Sequence, residues 1–172
     1  MSAEATSGER AHRRLAEWVA YVVYGTLAVL AAAGGLALEP PALHAAEAAA
    51  VLIVVAATAW LGHSMWRVVR ARARRDPVPD RSHELHELLG SWPIVASGLP
   101  AASVLLLAAT GAWSVATALA IAQALGVVVL LGAGLATALL AGATGSRKLA
   151  YVFTLPFAGL VIVVLEVAAH KA

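Results

Sequence analysis

The chain contains no cysteine, few charged residues and few aromatic residues. Without cysteine it can form no disulfide, no thiolate nucleophile and no cysteine-ligated zinc site. Only 13% of its 172 residues are Asp, Glu, Lys or Arg, whereas about 25% is usual in soluble domains. Together with 61% hydrophobic residues, this composition argues against a disordered chain and against a nucleic-acid-binding module.

The hydrophobic residues exceed what one soluble domain of this length can bury. A domain of about 150 residues removes only about 70% of its chain's surface from water on folding. With 61% hydrophobic residues, much apolar surface must therefore face a solvent other than water. The sequence predicts an integral membrane protein of all-α fold.

Five apolar segments are long enough to cross a bilayer. The hydrocarbon core is about 30 Å thick, so a spanning helix needs about 20 residues. The third segment contains Pro93 and Pro100, and the fifth contains Pro156; we expect kinks there, because neighbouring helices can satisfy the freed carbonyls. The predicted bundle of five transmembrane helices has spans at about residues 18–38, 45–66, 88–111, 114–141 and 149–169.

In this five-span topology, loops that contain Lys or Arg alternate with loops that contain almost none. Lys and Arg concentrate in cytoplasmic loops of membrane proteins, and an N-terminus placed inside leaves eleven basic residues inside and one, Lys171, outside. The first span exceeds the 7–15 residues of a signal-peptide core, so we interpret it as a retained signal anchor. The prediction is therefore a cytoplasmic tail at 1–17, a single transmembrane domain at 18–172 with a cytoplasmic loop at 67–87, and the C-terminus outside.

Ionisable residues gather at the outer end of this topology. His44 and Glu47 are three residues apart and Glu166 and His170 are four apart, so each pair shares a helix face. If spans two and five touch, these side chains converge and could relay protons or hold a divalent metal. The alternative is that all four are solvated among the lipid headgroups.

Two further polar residues lie inside the predicted spans. His63 follows a face of small residues that should point to the bundle interior, so it is either a hydrogen-bonded packing residue or a proton- or ligand-binding group. Gln123 is predicted to form a hydrogen bond between helices. The members of the face that precedes His63 are Ala45, Ala49, Leu52, Ala56 and Ala59.

Histidines also occur in the segment His83–Leu89. His83 and His86 are three apart rather than four, unlike the zinc-binding H-E-x-x-H pattern, so an amphipathic turn at the membrane surface is the favoured interpretation. Haem would need two histidines at one depth, either His63 with His86 or His44 with His170. We expect no cofactor, with a divalent metal or haem as the less favoured alternative.

Small residues recur every four positions along the fourth span. Without a hydrophobic driving force between helices in lipid, such ladders allow close helix packing. The ladder could pack within one chain or form a seam for self-association. It consists of Ala118, Ala122, Gly126, Gly134, Ala138 and Gly142, and is interrupted by Leu130.

The Ala, Val, Leu, Gly and Arg bias, with the stretch Ala59-Trp60-Leu61-Gly62-His63, resembles the small multi-pass membrane proteins of high-GC actinobacteria. That resemblance implies a bacterial plasma (inner) membrane. The chain contains no P-loop, dinucleotide fingerprint or G-x-S-x-G motif, so an enzyme is not the first expectation.

Two functions are expected from the sequence. The leading hypothesis is a small homo-oligomeric channel or transporter for protons or cations, with Glu166, His170, Glu47, His44 and His63 as candidate pathway residues. The second is a non-catalytic scaffold or accessory subunit of a larger membrane complex. The expected partners are the bilayer and either further copies or another membrane subunit, and no nucleic acid.

Overall fold

The structure, a computed structural model, describes residues 2–38, 44–73 and 89–171. Within these ranges the chain is helical and contains no strand, which confirms the predicted all-α fold. The helices are α1 (Ser2–Leu38), α2 (Ala45–Ala73), α3 (Pro93–Ala96), α4 (Leu99–Ala109), α5 (Val115–Leu140) and α6 (Gly145–Lys171).

Three stretches of helix are long and apolar enough to cross a membrane. They are Ala11–Leu38 in α1, Ala45–Arg67 in α2 and Val115–Leu140 in α5. The segment Pro93–Ala109, which includes α3 and α4, is apolar but shorter. The described helices therefore have the character of a membrane protein with three candidate spans.

The third predicted span has a local interruption of its helix just before Pro100, one of the prolines where the sequence predicts a kink. α3 ends at Ala96, Ser97 and Gly98 form a turn, and α4 begins at Leu99. Pro100 occupies the first turn of α4, where the missing N–H would have had no partner in the helix. Ser97 and Gly98 nevertheless keep right-handed helical backbone angles, with φ of −64° and −81°, so the segment bends locally before Pro100, as the sequence predicts. Pro156, by contrast, lies inside α6, which continues past it.

α1 packs against α2, α3, α5 and α6, and so lies at the centre of the bundle. Antiparallel neighbours give the bundle two ends: the Leu38 end, where α1 ends and α2 begins, and the Arg67 end, where the apolar part of α2 ends. At the Leu38 end a cluster of buried apolar residues joins α1, α2, α4 and α5. It includes Val29, Ala33, Ala48, Leu52, Leu105 and Ala118.

The ladder of small residues on α5 is buried within the chain. Ala118, Ala122 and Ala138 are buried, and a Cβ at Gly126 would lie 2.7 Å from Cδ2 of Leu30 on α1. Gly142, which has a φ of +59°, lies in the turn after α5. Ala118, Ala122, Gly126 and Ala138 therefore pack within the chain, whereas Gly142 is exposed, and a role of the ladder in self-association stays a prediction.

Candidate functional site

At the Arg67 end, α1 and α2 bring an imidazole, two phenols and a guanidinium together. Tyr21 and Tyr24 are three residues apart on α1, and His63 and Arg67 are four apart on α2, so each pair shares a helix face. The rings of Tyr21 and His63 meet edge to face with centroids 5.1 Å apart, and the Tyr24 ring lies 5.9 Å from that of His63. We call these four residues the His63 cluster.

A short hydrogen bond joins the two helices within the cluster. Nη1 of Arg67 donates to the hydroxyl oxygen of Tyr21 over 2.8 Å. A hydrogen bond to a charged group contributes about 1.5–3 kcal/mol to stability. This bond therefore holds α1 against α2 beside His63.

One ring nitrogen of His63, Nε2, is buried without a hydrogen-bond partner among the described residues. Leaving a buried polar atom without a partner costs about 1–3 kcal/mol. Four of the five residues on the predicted face of α2 are buried, namely Ala45, Ala49, Leu52 and Ala56, and Ala59, the residue nearest His63, is half-buried.

Ser91 and Trp92, which immediately precede α3, contact both α1 and α2 at the Arg67 end. Nε1 of Trp60 donates to Oγ of Ser91 over 3.0 Å, and the rings of Trp18 and Trp92 meet edge to face with centroids 5.9 Å apart. These contacts tie residues 91–92 to α2 and α1. The segment that leads into α3 is thereby fixed at the Arg67 end.

A cavity of about 1330 Å³ lies beside the cluster at the same end. Its walls come from α1, from the last turn of α5 and the turn that follows it, and from the first half of α6. Tyr24 lines this cavity and also contacts the ring of His63. The phenol of Tyr24 therefore connects the cavity to the half-buried imidazole of His63.

The charge around the cavity is positive. Arg147 lines it, and no carboxylate does so among the described residues. Arg67 adds a second guanidinium next to His63. Metal cations such as Ca²⁺ and Mg²⁺ require carboxylate or carbonyl oxygen ligands, so the side chains of this site do not favour one.

Along α1, the next polar side chain after Tyr24 in the direction of the Leu38 end is that of Thr26. This residue is 3% exposed, and its Oγ1 has no hydrogen-bond partner among the described residues. A void of about 10 Å³ lies beside it, near the lower limit for one water molecule. Ser97, which also lines the void, donates its hydroxyl to the carbonyl of Ile94 over 2.7 Å. Beyond this level the apolar cluster of the Leu38 end begins.

His44 and Glu47 lie together at the Leu38 end, but on the surface. Their side chains are 84% and 65% exposed, and Nδ1 of His44 is 3.8 Å from Oε2 of Glu47. The backbone N–H of His44 donates to the same carboxylate oxygen over 3.2 Å. This is half of a capping box, so the start of α2 explains this spacing structurally.

The predicted convergence of the two outer pairs requires α2 to pack against α6. In the described part of the chain α6 packs instead against α5 and α1, while α2 packs against α1, α3 and α4. Glu166 and His170 belong to the last turns of α6, and their side chains lie outside the described part. The described side chains include no group of three or more that could hold a metal.

The other predicted polar residues are less informative. Gln123 is half-buried on α5. His83 and His86 lie outside the described residues. Tyr21, Tyr24 and Arg67 were missed by the sequence analysis, although the spacings Tyr21–Tyr24 and His63–Arg67 give the signal that could have found them.

No protein family model, curated protein or solved structure matches this chain. The actinobacterial resemblance therefore stays an expectation from composition. The features of the chain that bear on function are the His63 cluster and the cavity.

Proposed function

We propose that the chain crosses the membrane five times, with the N-terminus and the Arg67 end inside and the C-terminus outside. The asymmetry of basic residues supports this orientation. α6 has 27 residues, and the apolar segment Pro93–Ala109 reaches the lower limit of about 17 residues for a spanning helix. Together with the three candidate spans, α6 and the segment Pro93–Ala109 would give the five proposed spans.

Aromatic residues support the position of the inner membrane boundary. All three tyrosines and four of the five tryptophans lie toward the Arg67 end, whereas Trp113 lies at the other end. Trp and Tyr concentrate at the level of the headgroups. The His63 cluster would then lie just inside the hydrocarbon from the cytoplasmic surface.

We further propose that the protein is a small proton transporter in which His63 takes up and releases the proton. Histidine changes its charge near neutral pH, and an ionisable residue inside a membrane is a functional candidate by default. The observation that carries the proposal is the buried, unpartnered Nε2 of His63 beside Tyr24, the residue that faces the cavity. No carboxylate lines the cavity among the described residues, which disfavours a metal cation, whereas a neutral imidazole nitrogen can accept a proton.

The packing of the bundle favours a transporter over an open channel. A channel needs a continuous hydrated path, but the apolar cluster fills the Leu38 end among the described residues. The polar groups extend only from the cavity to the level of Thr26. Proton release on the other side would therefore require a second conformation, in which Glu47, His44, Glu166 and His170 remain candidate pathway residues.

Association with further copies or with another membrane subunit also remains a prediction. Because most of the ladder on α5 is occupied by α1 and α6, such contacts would use mainly other lipid-facing surfaces. A scaffold would need those surfaces but would not need His63. The two proposed functions therefore differ in their dependence on one imidazole.

The test is proton flux into proteoliposomes that enclose a pH-sensitive dye, driven by a membrane potential. His63→Gln removes the titrating group and keeps a polar side chain of similar length. His12→Gln is the matched control, because His12 is exposed on α1 near its N-terminus. We expect flux above that of empty vesicles for the wild type and the control, and none for His63→Gln. Absence of flux in the wild type, or equal flux in His63→Gln, would overturn the proposal.

A further inference from the structure

The cavity at the Arg67 end has a long apolar wall. Val19, Val23 and Leu27 follow each other at intervals of four on α1, and Leu155 lines the cavity from α6. Eight residues of helix, from Val19 to Leu27, correspond to about 12 Å along the axis. This wall therefore suits an extended apolar chain that lies parallel to the helices.

The cavity is also larger than most sites for small molecules. Its volume is about 1330 Å³, whereas ligand pockets commonly measure about 300–1,000 Å³. It lies between helices of a membrane protein rather than in a water-soluble domain. Its size and position favour a membrane amphiphile as occupant.

One end of the cavity carries positive charge, and no carboxylate lines the cavity among the described residues. Arg147 lines the cavity in the first turn of α6 and forms no ion pair with a described residue. Lys148 follows it, and Arg13 and Arg14 are exposed on α1 just before the cavity wall begins at Ala16. Basic pockets between membrane helices on the cytoplasmic side bind anionic lipid headgroups. The charge pattern is therefore complementary to a phosphodiester headgroup.

We propose that this cavity binds one anionic phospholipid, with its phosphate at Arg147 and one acyl chain along Val19, Val23 and Leu27. The chain would lie against Tyr24, so departure of the lipid would expose the route to His63. The inference extends beyond proton transport, and its test measures lipid binding without any flux. Either proposal can therefore fail while the other stands.

The test is a titration of the purified, delipidated protein in detergent, followed by native mass spectrometry. The probes are phosphatidylglycerol, phosphatidylcholine with the same acyl chains, and glycerol phosphate. We expect one phosphatidylglycerol to bind more tightly than phosphatidylcholine, and glycerol phosphate not to bind in the same concentration range. Equal binding of both lipids would overturn the role of charge, and equal binding of glycerol phosphate would indicate a site for free anions instead.

Two variants locate the site. Arg147→Gln should weaken binding of phosphatidylglycerol by about fivefold, the effect of one basic side chain near a membrane surface. Arg70→Gln is the control, since Arg70 is exposed on α2 and does not line the cavity. Ala150→Phe, which fills the cavity from α6, should abolish the binding while the helical circular dichroism is retained. Unchanged binding in Arg147→Gln or in a folded Ala150→Phe protein would contradict the proposal.

Discussion

Gly134 on α5 lies directly against the backbone of Val152 on α6: a Cβ at position 134 would be 2.9 Å from Cα of Val152. It would also be 2.7 Å from the carbonyl oxygen of Tyr151. Backbone atoms cannot move aside as the end of a side chain can. The close contact of α5 and α6 therefore depends on the absence of a side chain at this position.

Gly134→Ala should separate α5 from α6 and lower the free energy of unfolding by about 1–3 kcal/mol, the usual cost of overpacking. The matched control is Gly132→Ala, two residues earlier on the same helix, where a Cβ would meet nothing within 4 Å. Unfolding by titration with a denaturing detergent, followed by circular dichroism, measures both variants. Equal stability of the two variants would show that this contact is not tight.

Removal of the Tyr21 hydroxyl should weaken the contact between α1 and α2. Tyr21→Phe deprives the Arg67 guanidinium of an acceptor at 2.8 Å, so we expect a loss of about 1–3 kcal/mol in the same unfolding assay. Tyr24→Phe is the control, because Tyr24 is exposed to the cavity and its ring contact with His63 does not use the hydroxyl. An equal effect of the two substitutions would argue against the hydrogen bond as the cause.

Glu166 is a candidate acid in the last turns of α6, toward the Leu38 end of the bundle. In the proteoliposome assay, Glu166→Gln should reduce flux if protons leave through the last turns of α6, because glutamine cannot titrate. Unchanged flux would remove Glu166 from the path and leave the role of His63 intact. Comparison with the flux of His63→Gln shows whether proton transport depends on residues at both ends of the bundle.

The sequence predicts where the helices lie along the chain better than it predicts which helices pack against each other. Hydropathy located three candidate spans, since apolar length alone determines which helices can cross a bilayer. The sequence also predicted a kink at Pro100, and the helix is locally interrupted just before this residue, at Ser97–Gly98. It identified His63 and the mostly buried face of small residues that precedes it.

The partners of His63 depend on which face of α1 meets α2, and periodicity does not determine that. Tyr21 and Tyr24 could equally have faced lipid, as aromatic residues near a membrane boundary often do. The expected meeting of the outer acids and histidines depended on contact between spans two and five. α1 lies at the centre of the bundle instead and packs against both α2 and α6.

The orientation of the Arg67 end can be measured most directly by cysteine accessibility, since the natural chain has no cysteine. Single substitutions Ser146→Cys and Ala46→Cys introduce thiols at exposed positions on opposite ends of the bundle. In intact bacterial cells, a membrane-impermeant maleimide should label Ala46→Cys and should label Ser146→Cys only after the membrane is permeabilised. Labelling of Ser146→Cys in intact cells, with protection of Ala46→Cys, would contradict the account and place the cavity and His63 toward the outside.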